Sequence, residues 1–182
     1  MFNRVVVPLD GSAASEEALV PAVEFARLAG ATLHIIRVVD NTWITRYGIV
    51  GLPLASGSTD DILQADRQDA TDYLAAMRVR LGSTGIPITV ERREGRAADE
   101  IRAAVLSGDL LAIATHGRSG ISRMALGSVA EDVARSMETP VLLCRAHGKE
   151  HALAPDRDLV SVAAPAPAPV TGGLEHIAPA WA

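Results

Sequence analysis

The sequence has few of the residues that mark several classes of protein. It contains a single cysteine, Cys144, so no disulfide can form within the chain and a reducing compartment is indicated. Aromatic residues make up 3% of the 182 residues, and no dense run of lysine or arginine offers the basic face that nucleic acid requires. The apolar runs are too short for a membrane span, and the opening one is too short for a signal peptide. These absences predict a cytoplasmic protein with neither nucleic-acid nor membrane partners.

Apolar residues are plentiful, at 48% of the chain, and they follow two alternating periods. Five short apolar runs are predicted as strands, at 4–9, 32–39, 86–93, 110–115 and 140–145. Between them, apolar residues recur at helical spacing and predict four helices, one ending at Gly30 and the others over 60–81, 95–108 and 128–137. This order predicts an α/β fold, namely an open, doubly wound, Rossmann-like parallel sheet of five strands with helices on both faces.

The chain changes character after His147. Residues 148–182 are rich in alternating alanine and proline and have no periodic apolar face. Such a composition favours an extended, solvated chain. The sequence therefore predicts one domain over 1–147 followed by a flexible tail over 148–182.

The stretch from Leu110 to Val133 combines an apolar strand, a polar loop with three glycines and a helix start. In open α/β sheets, ligands bind beyond the carboxyl ends of the strands, where the strand order reverses. The N–H groups at a helix N-terminus attract anions, and Gly117 and Gly120 allow the backbone to approach a ligand closely. The sequence therefore predicts that this loop wraps the phosphates of a nucleotide.

Several of these residues also have a purely structural interpretation. Ser128 can bind a phosphate oxygen, or it can cap the last helix with Glu131 completing a capping box. Asp10, after the first strand, can hold a ribose hydroxyl, a base or a metal-bound phosphate, or it can help Ser12 to cap the first helix. Arg118 can pair with phosphate or remain solvated. The residues alone leave these alternatives open.

Four segments resemble the universal stress protein family: the opening "VVVPLDGSAASEEAL", then "THGRSG", "LGSVAEDVA" and the closing "PVLL". Members of the family that bind ATP carry the pattern G-x2-G-x9-G-[S/T] after the fourth strand. Here Ala114, Gly117, Gly127 and Ser128 occupy the fixed positions of that pattern, with alanine at the first glycine. The resemblance covers about residues 2–146. Alanine at this position is harmless if its φ is negative and crowded if its φ is positive.

The resemblance implies a domain similar to the adenine-nucleotide alpha-hydrolases that binds ATP, with or without Mg²⁺. It also implies a homodimer paired through the last strand, from Val141 to Arg145, and an apolar strand at an open edge suits such pairing. Neither a catalytic residue nor a metal ligand is singled out. Taken with the loop argument, it predicts these contacts to the adenine nucleotide: Pro8, Leu9, Asp10, Val38, Ala114, His116, Gly117, Arg118, Ser119, Gly120, Gly127, Ser128 and Val129.

Three functions stay open at this stage. The first is a nucleotide-binding regulatory module of the stress response. The second is a slow ATP hydrolase or phosphate transferase, with Asp10, His116 and Arg118 as candidate groups. The third is an interaction module of the same fold that binds no nucleotide, favoured by Ala114 and by the long tail.

Overall fold

The computed structural model describes residues 2–42, 59–115 and 127–145. The described strands are β1 (Arg4–Pro8), β2 (Thr32–Val39), β3 (Ile88–Glu94), β4 (Asp109–Ala114) and β5 (Val141–Cys144). The described helices are α1 (Ala13–Glu16), α2 (Leu19–Ala29), α3 (Thr59–Leu81), α4 (Ala97–Ala104) and α5 (Ser128–Ser136), with a short 3₁₀ turn over Gly82–Thr84. The predicted tail over 148–182 lies outside the described residues. None of the described helices combines the length and the apolar character that a membrane crossing requires.

The strands form one open parallel sheet of five strands, as predicted from the sequence, and their order is β3-β2-β1-β4-β5. The chain starts in the middle of the sheet, moves outward through β2 to β3, and then crosses to β4 and β5 on the other side of β1. The strand order therefore reverses between β1 and β4. In a sheet of this kind, the crevice beyond those two strand ends is where a ligand binds.

Two apolar layers cover the sheet, and strand side chains alternate between them. In β4, Leu110 and Ala112 face the layer that also contains buried residues of α2 and α3. Leu111 and Ile113 face the opposite layer, which contains buried residues of α4 and α5. The continuous apolar run of β4 is thus explained by burial on both faces, as expected for a central parallel strand.

The first predicted helix is wrong in one respect, because the structure divides it. α1 ends at Glu16, and α2 begins at Leu19. Pro21 explains the break: it has no N–H to donate, and its ring would clash with the carbonyl of Glu17 in a continuous helix. In the first turn of a new helix the same proline is tolerated. Gly30 ends α2 in the left-handed conformation, with φ of 63°, as predicted.

Other boundaries differ by a few residues. β3 starts at Ile88, two residues later than predicted, because Pro87 lacks the N–H that a strand residue would donate. α4 covers only Ala97–Ala104 of the predicted 95–108, since Val105 already has an extended backbone. Each remaining described element begins and ends within two residues of the prediction.

The two edge strands of the sheet differ in chemistry. Along β3, ion pairs cover the edge: Arg67 contacts Glu94 through two hydrogen bonds of 3.0 and 2.8 Å, and Arg93 contacts Glu91 at 2.6 Å. Along β5 the residues are apolar, and Leu143 is 41% exposed. Charged side chains discourage strand pairing at an edge, whereas an apolar edge permits it.

His34 is buried in β2, and both of its ring nitrogens have partners. Nδ1 lies 2.8 Å from Thr89 Oγ1, and Nε2 lies 3.1 Å from Glu91 Oε2. Burial, followed by the charge of Arg4, lowers the pKa of His34 below its ordinary value of 6.5, and these effects outweigh the opposing influence of Glu91. The neutral ring is therefore the stable form in the folded protein.

We expect this histidine to make the protein less stable in mild acid. As the pH is lowered through about 6.5, the unfolded chain takes up a proton at His34 more readily than the folded chain does. The free energy of unfolding therefore decreases as the solution becomes more acidic. His34→Gln keeps a donor and an acceptor but does not titrate. Urea unfolding at several pH values between 7 and 5 should show a smaller loss in the variant. Equal losses in the two proteins would contradict this assignment.

Candidate functional site

A cavity of about 290 Å³ lies beyond the carboxyl ends of β1 and β4, where the strand order reverses. This volume is at the lower end of the roughly 300–1,000 Å³ of small-molecule sites. Eight residues predicted to contact the nucleotide line it: Pro8, Leu9, Asp10, Val38, Ala114, Gly127, Ser128 and Val129. The other five predicted contacts, His116, Gly117, Arg118, Ser119 and Gly120, lie outside the described residues.

The β1–α1 loop forms one rim of the cavity and is held by its own hydrogen bonds. Asp10 Oδ1 accepts from the Ser12 N–H at 2.9 Å and from the Ser12 hydroxyl at 2.6 Å. Ser12 in turn caps α1, with its Oγ accepting from the Ser15 N–H at 3.1 Å. Asp10 therefore supports the cap of the first helix, as the structural alternative proposed. One carboxylate can orient this cap and also line the cavity, so the two interpretations of Asp10 are compatible.

Gly11, at the tip of this loop, is packed against a buried arginine. Its φ is +86°, and a β-carbon added there would lie 3.3 Å from the Arg37 guanidinium. Arg37 is fixed behind the loop by an ion pair of 2.5 Å with Asp69 and by the Tyr73 ring, whose centroid is 4.7 Å from the guanidinium carbon. Glycine suits this point because the positive φ disfavours a side chain, and a β-carbon would in addition press on the Arg37 guanidinium.

The opposite rim is the start of α5, and here the structure contradicts one of the two alternatives left open for Ser128, that it caps the helix. Gly127 is the N-cap, with an extended backbone, so Ser128 is the first residue inside the helix and does not cap it. Glu131 does not complete a capping box either, because its carboxylate pairs with Arg135 at 2.8 Å. Ser128 is exposed and lines the cavity. The first N–H groups of a helix have no partner within it, so those of the opening turn of α5 are suited to an anion.

Ala114 occupies the position where the ATP-binding pattern has its first glycine. It is the last residue of β4 and pairs with Cys144 of β5, so its backbone is extended and its φ is negative. Its methyl group belongs to the apolar layer of α2 and α3, opposite the layer of α4 and α5. Alanine therefore fits here without the strain that a positive φ would impose.

Apolar side chains from three directions form the walls of the cavity. β2 contributes Val38 and β4 contributes Ile113, while α4 and α5, which pack together over one face of the sheet, contribute the remaining apolar side chains. Six lining residues were not predicted: Ser15, Ala97, Ile101, Ile113, Thr115 and Ala130. A flat apolar ring fits such walls, and the polar part of the same ligand would then meet the start of α5.

A polar depression adjoins the cavity on its outer side. It shares Ala97, Ser128 and Val129 with the cavity and adds the polar residues Asp40, Thr42, Arg96 and Asp132. Arg96, the residue that immediately precedes α4, lies in this depression. Within the described ranges, no group of three or more His, Cys, Asp or Glu side chains is arranged to hold a metal ion. Burial raises the pKa of the Cys144 thiol to about 11, so at neutral pH this buried side chain is a protonated thiol.

Comparison with known proteins identifies the family. The family model described as "Universal stress protein family" matches residues 1–145. This chain belongs to the universal stress protein family. Universal stress protein MJ0531 of Methanocaldococcus jannaschii is 34% identical over 152 residues, which cover 82% of this chain and 86% of that protein.

Solved structures of similar proteins share the fold. The structure of protein MJ0577 superposes with a TM-score of 0.68 at 20% identity, covering 82% of this chain and 99% of that one. A universal stress protein in complex with cAMP superposes with a TM-score of 0.51 at 26% identity, covering 80% of this chain and 98% of that one. The five-stranded α/β architecture predicted from the sequence is therefore that of the universal stress protein family.

Proposed function

We propose that this universal stress protein binds ATP in the cavity beyond β1 and β4 and acts as a nucleotide-dependent regulatory module. The observation that carries the proposal is the convergence of two chemically different surfaces on one cavity. Apolar walls from Val38, Ile113 and α4 suit a purine ring, and the opening turn of α5 suits phosphate oxygens. A solved relative of 26% identity contains cAMP, which carries the same base.

Each part of the nucleotide has its own residues in this proposal. The base lies between Val38 and the wall formed by Ala97 and Ile101, and Asp10 faces the ribose from the β1–α1 loop. Gly127 and Ser128 hold the phosphates, together with the predicted contacts His116, Gly117, Arg118, Ser119 and Gly120. Mg²⁺, where it accompanies ATP, is held chiefly by the phosphates.

Equilibrium dialysis of the purified protein against labelled ATP tests the proposal. We expect saturable retention at or below millimolar nucleotide, and competition by ADP. The ligand carried through purification, identified by mass after denaturation, distinguishes ATP from other adenine nucleotides. If the protein retains no ATP at millimolar concentration, the proposal is wrong, and an interaction module that binds no nucleotide describes the protein better. ADP released from the retained ATP would indicate slow hydrolysis.

We further propose that the protein is a homodimer paired through β5. The support is the contrast between the two sheet edges: β3 carries ion pairs, whereas β5 presents Val141, Leu142 and the 41%-exposed Leu143. Pairing across an apolar edge strand buries these side chains and satisfies the free backbone groups of that edge.

Leu143→Asp tests this pairing, because it places a charge on the proposed contact. Sedimentation velocity should give a dimer for the wild type and a monomer for the variant. Val79→Asp is the matched control, since Val79 on α3 is 81% exposed and distant in the fold from β5. A dimer that survives Leu143→Asp, or that is lost equally with Val79→Asp, would contradict pairing through β5.

A further inference from the structure

Four charged side chains join α4 and α5, the two helices that line the cavity. Asp132 of α5 accepts from Arg96 Nη2 at 2.6 Å through Oδ2, and from Arg102 Nη1 at 3.1 Å through Oδ1. Asp99 of α4 accepts from both arginines, at 3.2 Å from Arg96 Nη1 and through a close contact with Arg102. We call these residues, Arg96, Asp99, Arg102 and Asp132, the α4–α5 clasp.

The clasp occupies a particular place relative to the candidate site. Arg96 immediately precedes α4 and adjoins Ala97, which lines the cavity. Asp132 lies one turn after Ser128, and both residues line the polar depression. The clasp therefore links the α4 wall of the cavity to α5, the helix whose first turn forms one rim.

Asp132 is suited to a fixed bridge because both of its carboxylate oxygens are engaged. The hydrogen bond from Arg96 holds the pKa of the Asp132 carboxyl below its ordinary value, so the group stays charged at neutral pH. Exposed ion pairs contribute little to stability one by one. A network that orients two helices can still matter for a ligand that must touch both of them.

From this arrangement we propose that Arg96, Arg102 and Asp132 are positioning residues, which hold the opening turn of α5 in place for the phosphates. The proposal rests on the proposed ATP binding. For the effect of neutralising Asp132 on ATP affinity, it predicts the opposite sign to that expected from charge repulsion alone. Asp132 is an anion about 6 Å along the helix from Ser128, so its neutralisation alone would strengthen the binding of a phosphate. If the clasp positions α5, its neutralisation weakens binding instead.

The matched control is the neighbouring residue on the same helix. Glu131 is equally acidic and close to the same helix start, but it pairs with Arg135 within α5 at 2.8 Å and not with α4. Glu131→Gln thus removes the same charge without opening the bridge. For the cations, Arg96→Gln and Arg135→Gln form the corresponding pair.

Isothermal titration with ATP at a temperature well below unfolding is the test. We expect Asp132→Asn to raise the Kd about three- to ten-fold, and Glu131→Gln to leave it unchanged or lower it. Arg96→Gln should weaken binding more than Arg135→Gln. Hydrogen exchange without nucleotide should increase along α5 in Asp132→Asn and remain as in the wild type in Glu131→Gln.

The outcomes separate the two proposals. If the wild type does not retain ATP, the proposed function fails and the clasp proposal falls with it. If the wild type binds ATP and Asp132→Asn binds equally well or more tightly, only the clasp proposal is overturned. If Asp132→Asn does not fold, equal binding by Arg96→Gln and Arg135→Gln overturns it in the same way.

Discussion

Asp109→Ala is expected to lower the free energy of unfolding by about 3 kcal/mol, since it removes one partner of a buried ion pair. Asp109 is 2% exposed and accepts from Arg4 at 2.5 and 3.2 Å. It also accepts from the Leu106 N–H at 2.8 Å, at the turn that leads into β4. Alanine would leave the partly buried guanidinium with only the Ala104 carbonyl, at 3.0 Å, of these protein partners, and it would release the hydrogen bond that holds the turn before β4.

Urea unfolding followed by circular dichroism measures this loss. Asp72→Ala is the control, because Asp72 is exposed on α3 and accepts a local hydrogen bond from Gln68 Nε2, at 2.9 Å, one turn away on the same helix. A change within about 0.5 kcal/mol is expected for it. Similar changes in the two variants would show that the Arg4–Asp109 pair does not stabilise the sheet.

The second large effect concerns ligand binding. Ala97→Phe is expected to raise the Kd for ATP by about tenfold or more, because the added ring would occupy the space proposed for the base. Ala97 is the first residue of α4, is half-buried, and lines the candidate cavity of about 290 Å³. Since the ring would enter an existing cavity, we expect the fold to be retained.

Ala103→Phe is the matched control for this prediction. Ala103 lies on the same helix, but its position is exposed and is not among the residues lining the cavity. Its Kd should stay within about twofold of the wild type. Equilibrium dialysis of both variants against ATP measures the two Kd values. An unchanged Kd for Ala97→Phe would show that the base does not bind against the α4 wall.

The five parallel strands and the position of the cavity could be predicted from the sequence, because the strands follow from local apolar patterns and the cavity from where two of them end. Apolar runs such as Thr32–Val39 can only be buried strands, and alternation with helices dictates a parallel sheet. Once β1 and β4 were placed beside the reversal of strand order, the residues following them had to meet. Eight predicted contacts therefore line the cavity.

The far wall of the cavity could not be predicted in the same way. Ala97 and Ile101 reach it because α4 packs against α5, a contact between segments about thirty residues apart with no local pattern of its own. The helical spacing of apolar residues along α4 indicates only that this helix has a buried face. The clasp was missed for the same reason, since Arg96 and Asp132 become neighbours only after folding.

Two local errors have local physical causes. The first error is the single helix predicted where the structure has α1 and α2. Apolar residues keep their helical spacing through Ala18, but spacing does not register that Pro21 has no N–H to donate. At the start of α5, Ser128 and Glu131 have the spacing of a capping box. A capping serine lies just before the first helical residue, whereas Ser128 is itself the first residue of the helix. A glycine can occupy the N-cap position, and Gly127 does so.

The ion pairs along β3 have a consequence for how large an assembly can become. Pairing through β5, as proposed, would join two sheets into a continuous ten-stranded one whose outer borders are both β3. Because Glu91, Arg93 and Glu94 make those borders unattractive to a further strand, growth would stop at two copies. The same charges that hold β3 in place would thus protect the protein from fibre formation.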